Sequence, residues 1–235
     1  MIDVTTDGAV ATITLDDGKA NAMNPDLFAA MNTALDQVEG DAAVTAVVIA
    51  GRPGVYSGGL DLKLLPSLTP EQILDLTLQF GRTMLRIWGL PKVVIGAATG
   101  HALGGGTVLA LACDHTVAAE GAFNWGLNEV AIGMPVPHWI VALARGSVAP
   151  RHLDTYVLPG RVIDPEEAVF IGYADAVADP DDVVAAAQAQ ALFRSALATS
   201  AYAATKRALR GDIIDHELAR IEPTMRALFG LARSG

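Results

Sequence analysis

Between Lys92 and Asp114 the chain runs for 21 residues, Val93 to Cys113, without an Asp, Glu, Lys or Arg. That length is enough to span a bilayer, so the residues inside the stretch must decide between membrane and core. Gly96, Gly100, Gly104, Gly105, Gly106 and His101 interrupt it. Val93-Val94-Ile95 opens it with β-forming residues, whereas Thr107 to Ala112 has helical character. The stretch therefore reads as a buried strand, a glycine turn and a helix. A segment of this kind needs other apolar elements around it, and the chain supplies them: 51% of residues are hydrophobic and 18% charged, against roughly 25% charged in an average soluble domain.

The flanking sequence repeats the theme. Ile2 to Thr5 and Val10 to Leu15 read as strands joined at Asp7-Gly8. Asn24-Pro25-Asp26 has the cap, first-turn proline and acid of a helix start. Leu27, Phe28, Met31, Ala34, Leu35 and Val38 follow at helical spacing. Val44 to Ala50 is apolar enough for a strand covered on both faces, and Glu71 to Trp88 returns to helical spacing. After strand Val93–Ala98, helix Gly105–Cys113 and strand His115–Ala119, the pattern is helical, over 138–144, 150–157, 165–172, 181–199 and 202 to about 229. Strand and helix alternate first and helices come last, which implies a layered α/β core with a helical C-terminal portion.

Charge and cysteine content exclude several functions. The 26 acidic and 16 basic residues give a formal charge of −10, the opposite of a nucleic-acid-binding surface. Cys113 is the single cysteine, so there is no intrachain disulfide and no thiolate metal cluster, and the chain suits a reducing cytoplasm. Met1-Ile2-Asp3 lacks the basic start of a secretory signal. The five histidines have no zinc-helix spacing, which argues against a metal. Ser57 lacks the frame of a hydrolase nucleophile, because Val55 stands where a glycine belongs.

Two glycine-rich loops carry the chemistry. Gly100-His101-Ala102-Leu103-Gly104-Gly105-Gly106 lies between a strand and a helix, where unpaired helix N-terminal amides face any anion. Tyr56-Ser57-Gly58-Gly59-Leu60-Asp61 follows another strand. Amides from two such junctions can converge on one oxygen, the arrangement of an oxyanion hole.

These loops, with Lys19-Ala20-Asn21-Ala22-Met23-Asn24 and Gly126-Leu127-Asn128-Glu129-Val130, make the chain resemble the crotonase superfamily, also called the enoyl-CoA hydratase/isomerase family, from about residue 2 to about residue 210. The resemblance implies a crotonase (ClpP-like) spiral of ββα units over 1–195 and a helical trimerisation segment over 196–235. It also implies an acyl-CoA thioester substrate, no cofactor beyond its coenzyme A moiety, and a homotrimer or homohexamer. By the same resemblance the Leu60 and Gly105 amides are the oxyanion donors and Glu129 is the acid/base. Lys19, Ala20, Ala22, Gly58, Asp61, Leu62, Lys63, Gly104 and Trp139 are the expected substrate contacts, with Arg52 and Lys92 as further candidates for the CoA phosphates. A base beside a thioester works best when burial raises its pKa, and Trp125, Leu127, Val130, Ile132 and Met134 would provide that burial.

One departure narrows the chemistry. Family hydratases hold a water between two glutamates, and the second falls three residues after the middle glycine, where this chain has Val108. The Gly126-Leu127-Asn128-Glu129 stretch instead resembles the Δ3,Δ2-enoyl-CoA isomerase branch, in which one glutamate moves a proton from C2 to C4. Isomerisation is therefore the expected reaction, with hydration and non-catalytic acyl-CoA binding as the alternatives. Asp61 is expected to cap a helix from Leu62, His101 to fix its turn through a ring hydrogen bond, His138 to begin a helix, and Cys113 to pack inertly. After Arg210 the resemblance fades, and a shortened last helix is expected.

Overall fold

The computed structural model describes residues 1–231; residues 232–235, the end of the expected C-terminal segment, lie outside the described residues. Strands β1 (Ile2–Asp7) and β2 (Val10–Leu15) form an antiparallel hairpin in which Asp7 faces Val10. Helix α1 (Pro25–Gly40) starts where its cap predicts, with the Asn24 side chain accepting the Leu27 amide at 2.9 Å.

Three ββα units follow: β3 (Ala46–Ala50), β4 (Gly54–Ser57) and α2 (Pro70–Gly89); β5 (Val93–Ala98), β6 (Gly100–Leu103) and α3 (Gly105–Ala112); β7 (His115–Ala119), β8 (Trp125–Gly126) and α4 (His138–Ser147). The first strand of each unit joins a six-stranded sheet, β1-β2-β3-β5-β7-β9, and the second joins a three-stranded sheet, β4-β6-β8. All pairings between these strands after the opening hairpin are parallel. Each unit thus advances both sheets by one strand, which is the expected spiral. The chain closes with α5 (Pro150–His152) running into a π-helical turn (Leu153–Val157), then α6 (Pro165–Ile171), β9 (Ala176–Ala178), α7 (Val183–Ser195) and α8 (Thr199–Leu228).

The charge-free stretch is therefore β5, β6 and α3, and among the described residues no helix is long and apolar enough to cross a membrane. The small sheet differs from the sequence expectation, which placed only a glycine turn at Gly100–Gly106 and no strand between Ala50 and Tyr56. Its strands have two to four residues and little alternation; close backbone approach defines them, since a Cβ on Gly100 would lie 2.0 Å from the Gly54 carbonyl carbon. Strand β9 likewise adds to a region read as essentially helical, in the gap between the expected helices 165–172 and 181–199, because three residues are too few to show a period of two.

Both faces of the large sheet are covered, which explains the unbroken apolar run in β3. Val47, Ile49 and Val94 belong to the main core with α1 to α4. Ala46, Val48, Ala50, Ile95 and Val117 pack with Val183, Ala187 and Ala191 of α7. Gly81 of α2 leaves room for Trp139 of α4 and Ile221 of α8.

Helix α8 is fastened to the core by a buried ionic cluster. Asp114, at the end of the charge-free stretch, accepts from Lys206 Nζ at 2.6 Å, Arg210 Nη1 at 2.6 Å, the Tyr202 hydroxyl at 2.8 Å and the Val94 amide at 2.8 Å. Burial lowers the Lys206 pKa and the Asp114 charge opposes that shift. Removing one member of a buried pair strands the others: Asp114→Ala should lower the free energy of unfolding by about 3–5 kcal/mol. Asp215→Ala, at the exposed Arg207–Asp215 pair, should change it little. Urea denaturation of the two variants measures the contrast.

Candidate active site

The loop after β4 and the loop before α3 meet backbone to backbone. Gly59 has φ +84°, and a Cβ there would sit 2.8 Å from the Gly105 amide nitrogen and 2.8 Å from the Leu103 carbonyl. A side chain at this position would be strained and would also block the amide. Gly104 turns into α3 with φ +50° and ψ −115°, a conformation that glycine adopts without penalty. A Cβ on Gly105 would in turn meet Met23 Sδ at 2.8 Å, Gly59 Cα at 3.0 Å and Phe80 Cζ at 3.2 Å.

The amides around this contact are nearly all occupied. Gly58 N donates to Ala20 O at 2.8 Å, Gly59 N to Ser57 Oγ at 3.1 Å, Asp61 N to Met23 O at 2.9 Å and Gly104 N to Gly126 O at 2.8 Å. The Leu60 and Gly105 amides have no protein acceptor among the described hydrogen bonds. Both residues line a cavity of about 120 Å³ with Gly58, Gly59, Leu62, Phe80, Leu103, Gly104, Asn128, Glu129, Ile132 and Met134. Two free N–H dipoles in a small, largely apolar cavity can stabilise a developing oxyanion.

Glu129 is the one carboxylate in that lining. It stands just before the short 3-10 turn Val130–Ile132, held by its own carbonyl, which accepts the Ile132 and Met134 amides at 3.1 and 2.9 Å. Its Oε1 lies 3.6 Å from where a Gly104 Cβ would be, and its Oε2 is buried without a partner. Burial raises its pKa above the ordinary carboxylate value. The neighbouring Tyr173 hydroxyl is also buried without a full partner. Desolvation and the Glu129 charge push that phenol upward, so it remains protonated. Val108 is fully buried in the core of α3 and is absent from the cavity wall.

Gly58, Leu60 and Leu62 also line a second cavity of about 490 Å³, completed by Asp17, Lys19, Ala20, Ala22, Asn24, Asp61 and Lys63. Small and large cavities thus share one wall, as an elongated ligand with a reactive end requires. Asp17 shapes the outer part: it accepts the Lys19, Asn21 and Ala22 amides at 2.7, 2.9 and 3.2 Å. Burial raises its pKa, and these amides outweigh that effect and hold it low.

Several expected residues sit elsewhere. Lys92 is buried, its Nζ donating to Asp41 O and Val44 O at 2.7 and 2.6 Å, so it cannot reach a phosphate. Arg52 binds Lys19 O at 2.8 Å and Asp16 at 3.4 Å, leaving Lys19 and Lys63 as the cavity's cations. Asp61 accepts the Lys63 amide at 3.1 Å in a turn; no helix starts at Leu62, because Pro66 confines the local coil to the 3-10 turn Leu65–Ser67. Trp139 lines neither cavity; it stands edge-on behind Phe80, ring centroids 4.9 Å apart. His101 Nδ1 accepts the Asn124 amide at 2.9 Å, bonding to the segment before β8. His138 opens α4 and pairs with Glu217 of α8. Burial drives the Cys113 thiol up to about 12, which leaves it unreactive. Asn21 and Ser57 lie within two of the motifs but are not among the residues expected at the site; Asn21 has φ +47°.

Known proteins share this architecture. A model of the enoyl-CoA hydratase/isomerase family matches residues 5–228. A putative enoyl-CoA hydratase of Thermus thermophilus is 34% identical over 188 residues, covering 78% of this chain and 74% of the relative. A probable enoyl-CoA hydratase of Mycobacterium tuberculosis superposes with a TM-score of 0.92 at 33% identity, over 97% of this chain and 96% of that one. A second structure of that mycobacterial protein, described as an enoyl-CoA isomerase, gives 0.88 at 33% identity over 94% and 97%. With its ββα spiral, paired glycine loops and buried glutamate, the chain belongs to the enoyl-CoA hydratase/isomerase family of enzymes.

Proposed function

We propose that this enzyme isomerises 3-enoyl-CoA to 2-enoyl-CoA thioesters with Glu129 as its sole acid/base. The observation that carries the reading is the composition of the inner cavity: two unoccupied amides, one desolvated carboxylate, and no second carboxylate, the alternative position being the buried Val108.

The thioester oxygen sits between the Leu60 and Gly105 amides. Glu129, as carboxylate, removes a proton from C2, and the electron pair moves onto the thioester to give an enolate that the two N–H groups stabilise. The protonated Glu129 then returns the proton at C4 while the enolate collapses, shifting the double bond from C3–C4 to C2–C3. One proton is taken and one is given back, so no water enters the balance. Hydration needs a water activated on one side and a proton delivered on the other, and a single carboxylate is less suited to both tasks at once. Phe80, Ile132 and Met134 enclose the acyl chain, while Lys19 and Lys63 face the phosphates of coenzyme A in the outer cavity. A homotrimer or homohexamer belongs to the same reading, with exposed Phe170, Phe193 and Leu209 offering apolar surface for it.

Product analysis with 3-enoyl-CoA and crotonyl-CoA separates the reactions: 3-enoyl-CoA should be consumed faster than crotonyl-CoA is hydrated, and rapid hydration with untouched 3-enoyl-CoA would overturn the proposal. Glu129→Gln should lower kcat by about 100- to 10,000-fold while leaving acyl-CoA affinity within about threefold, since uniform binding is retained; a binding protein would have no turnover to lose.

The Glu129 environment also sets two pH effects. Because the base must be ionised, kcat/KM should fall on acidification through a pKa above the ordinary glutamate value. The folded state favours the protonated carboxyl, so Glu129 costs no stability below its unfolded pKa and becomes destabilising as pH rises through the raised folded value. Glu129→Gln should therefore raise the melting temperature at neutral pH and leave it unchanged in acid, as calorimetry across that range can measure.

Salt tests the outer cavity. Acyl-CoA affinity should weaken with ionic strength, and the dependence should flatten in a Lys19→Ala, Lys63→Ala double variant.

A further inference from the structure

We infer that Asn21 and Ser57 are positioning residues that aim the Leu60 amide at the thioester oxygen, an inference that rests on the oxyanion reading above. Leu60 N is a useful donor only if the flanking peptide groups cannot rotate. Those groups are fixed through one buried polar relay. Asn21 is fully buried and carries the one positive φ outside glycine among the described residues. Its Nδ2 donates to Leu15 O at 2.9 Å and to Tyr56 O at 3.1 Å, and its Oδ1 accepts the Asp17 amide at 3.0 Å. These three bonds tie the end of β2, the end of β4 and the Asp17 loop to one side chain.

The left-handed turn at Asn21 presents its carbonyl to Ser57, whose Oγ donates to it at 2.7 Å. A hydroxyl has one proton, so this donation leaves its lone pairs for the Gly59 amide, 3.1 Å away. Gly58 N and Asp61 N are held by Ala20 O and Met23 O, and Gly59 O accepts Met23 N at 2.8 Å. Of the four consecutive amides from Gly58 to Asp61, three are thus bound to the 20–23 segment or to Ser57, and the amide of the cavity-lining Leu60 is left without a protein acceptor. Ala20 and Ala22, on either side of Asn21, also line the outer cavity, so the surface that would receive coenzyme A and the donor that would polarise the thioester are parts of one bracket.

Ser57 lines neither cavity and bonds the Gly59 amide, so its loss acts on the donor's direction rather than on ligand affinity, a signature distinct from a merely structural role. Displacement of a catalytic group by about 1 Å can cost roughly 100-fold in rate. The test uses Ser57→Ala and the closer-sized Ser57→Cys, whose thiol is a weak donor and acceptor. The readouts are kcat on 3-enoyl-CoA, the Kd of butyryl-CoA, and the infrared stretch of its ¹³C-labelled thioester carbonyl when bound. Both variants should lose about 10- to 100-fold in kcat, keep the Kd within about threefold, and bind the thioester with a smaller shift of the carbonyl to low frequency than the wild type. Unchanged kcat and carbonyl shift would overturn the inference, as would loss of affinity with the bound carbonyl still fully shifted. The carbonyl measurement needs no turnover: a wild type inert toward 2- and 3-enoyl-CoA fails the isomerase proposal while the relay is still tested. A wild type that does not shift the bound carbonyl overturns the relay.

Discussion

Everything at the site depends on one contact that contains no side chain, the approach of Gly59 to the peptide nitrogen of Gly105. Two peptide planes from different ββα units can share one small cavity only if neither carries a Cβ at the junction. The rest of the molecule makes that approach possible and holds it. Parallel pairing of β4 with β6 brings the two loops to the same end of the small sheet. Met23 and Phe80 pack against the same junction at Gly105, and Trp139 supports Phe80. The core thus serves as a rigid frame for two N–H groups, consistent with the general advantage of preorganised dipoles over mobile ones.

The sequence made the large sheet legible because its strands are long enough and apolar enough to show what covers them. Val44 to Ala50 and Val93 to Ala98 read correctly as buried strands, and Asn24 announced α1 by its cap. The small sheet left no comparable signal, since its strands are short, glycine-bearing and defined by tertiary approach. The glycine loops and Glu129 were legible through their motifs. Asn21 and Ser57 were hidden for another reason: a polar side chain buried in a backbone network has no periodicity, and its partners, Leu15, Tyr56 and Gly59, are named only by the fold. The reading of Lys92 as a phosphate contact failed on the same ground. A lysine beside an apolar strand can place its ammonium on interior carbonyls as readily as in solvent, and here it does.

That distinction also explains how an acidic protein can present a site for an anion. Part of its basic character is engaged by the protein's own carbonyls and carboxylates, some of it buried. Lys92 bridges Asp41 and Val44 carbonyls, Lys206 and Arg210 clamp α8 on Asp114, Arg86 binds Asp36 and Glu39, and Arg52 holds Lys19 O. Lys19 and Lys63 remain at the outer cavity, beside acids that are themselves engaged with backbone amides: Asp17 with three, Asp61 with one. The local field at this rim is therefore less negative than the net charge of −10 suggests, and the overall charge excludes a polynucleotide without excluding a nucleotide.

The inner cavity shows the same economy with acids. A carboxylate removed from water is stabilised less than one at the surface, and Glu129 has a buried oxygen without a partner. A second carboxyl beside it would make each resist ionisation of the other; Val108 is instead buried in the core, and Glu129 is the one carboxylate that lines the cavity. Burial then governs Glu129. In the isomerisation proposed above, the two amides would favour a negative charge on the substrate oxygen at the moment when Glu129 gave up its own by taking the proton. Charge would move from the glutamate to the thioester and back across one small cavity, an exchange for which a single buried carboxylate would suffice.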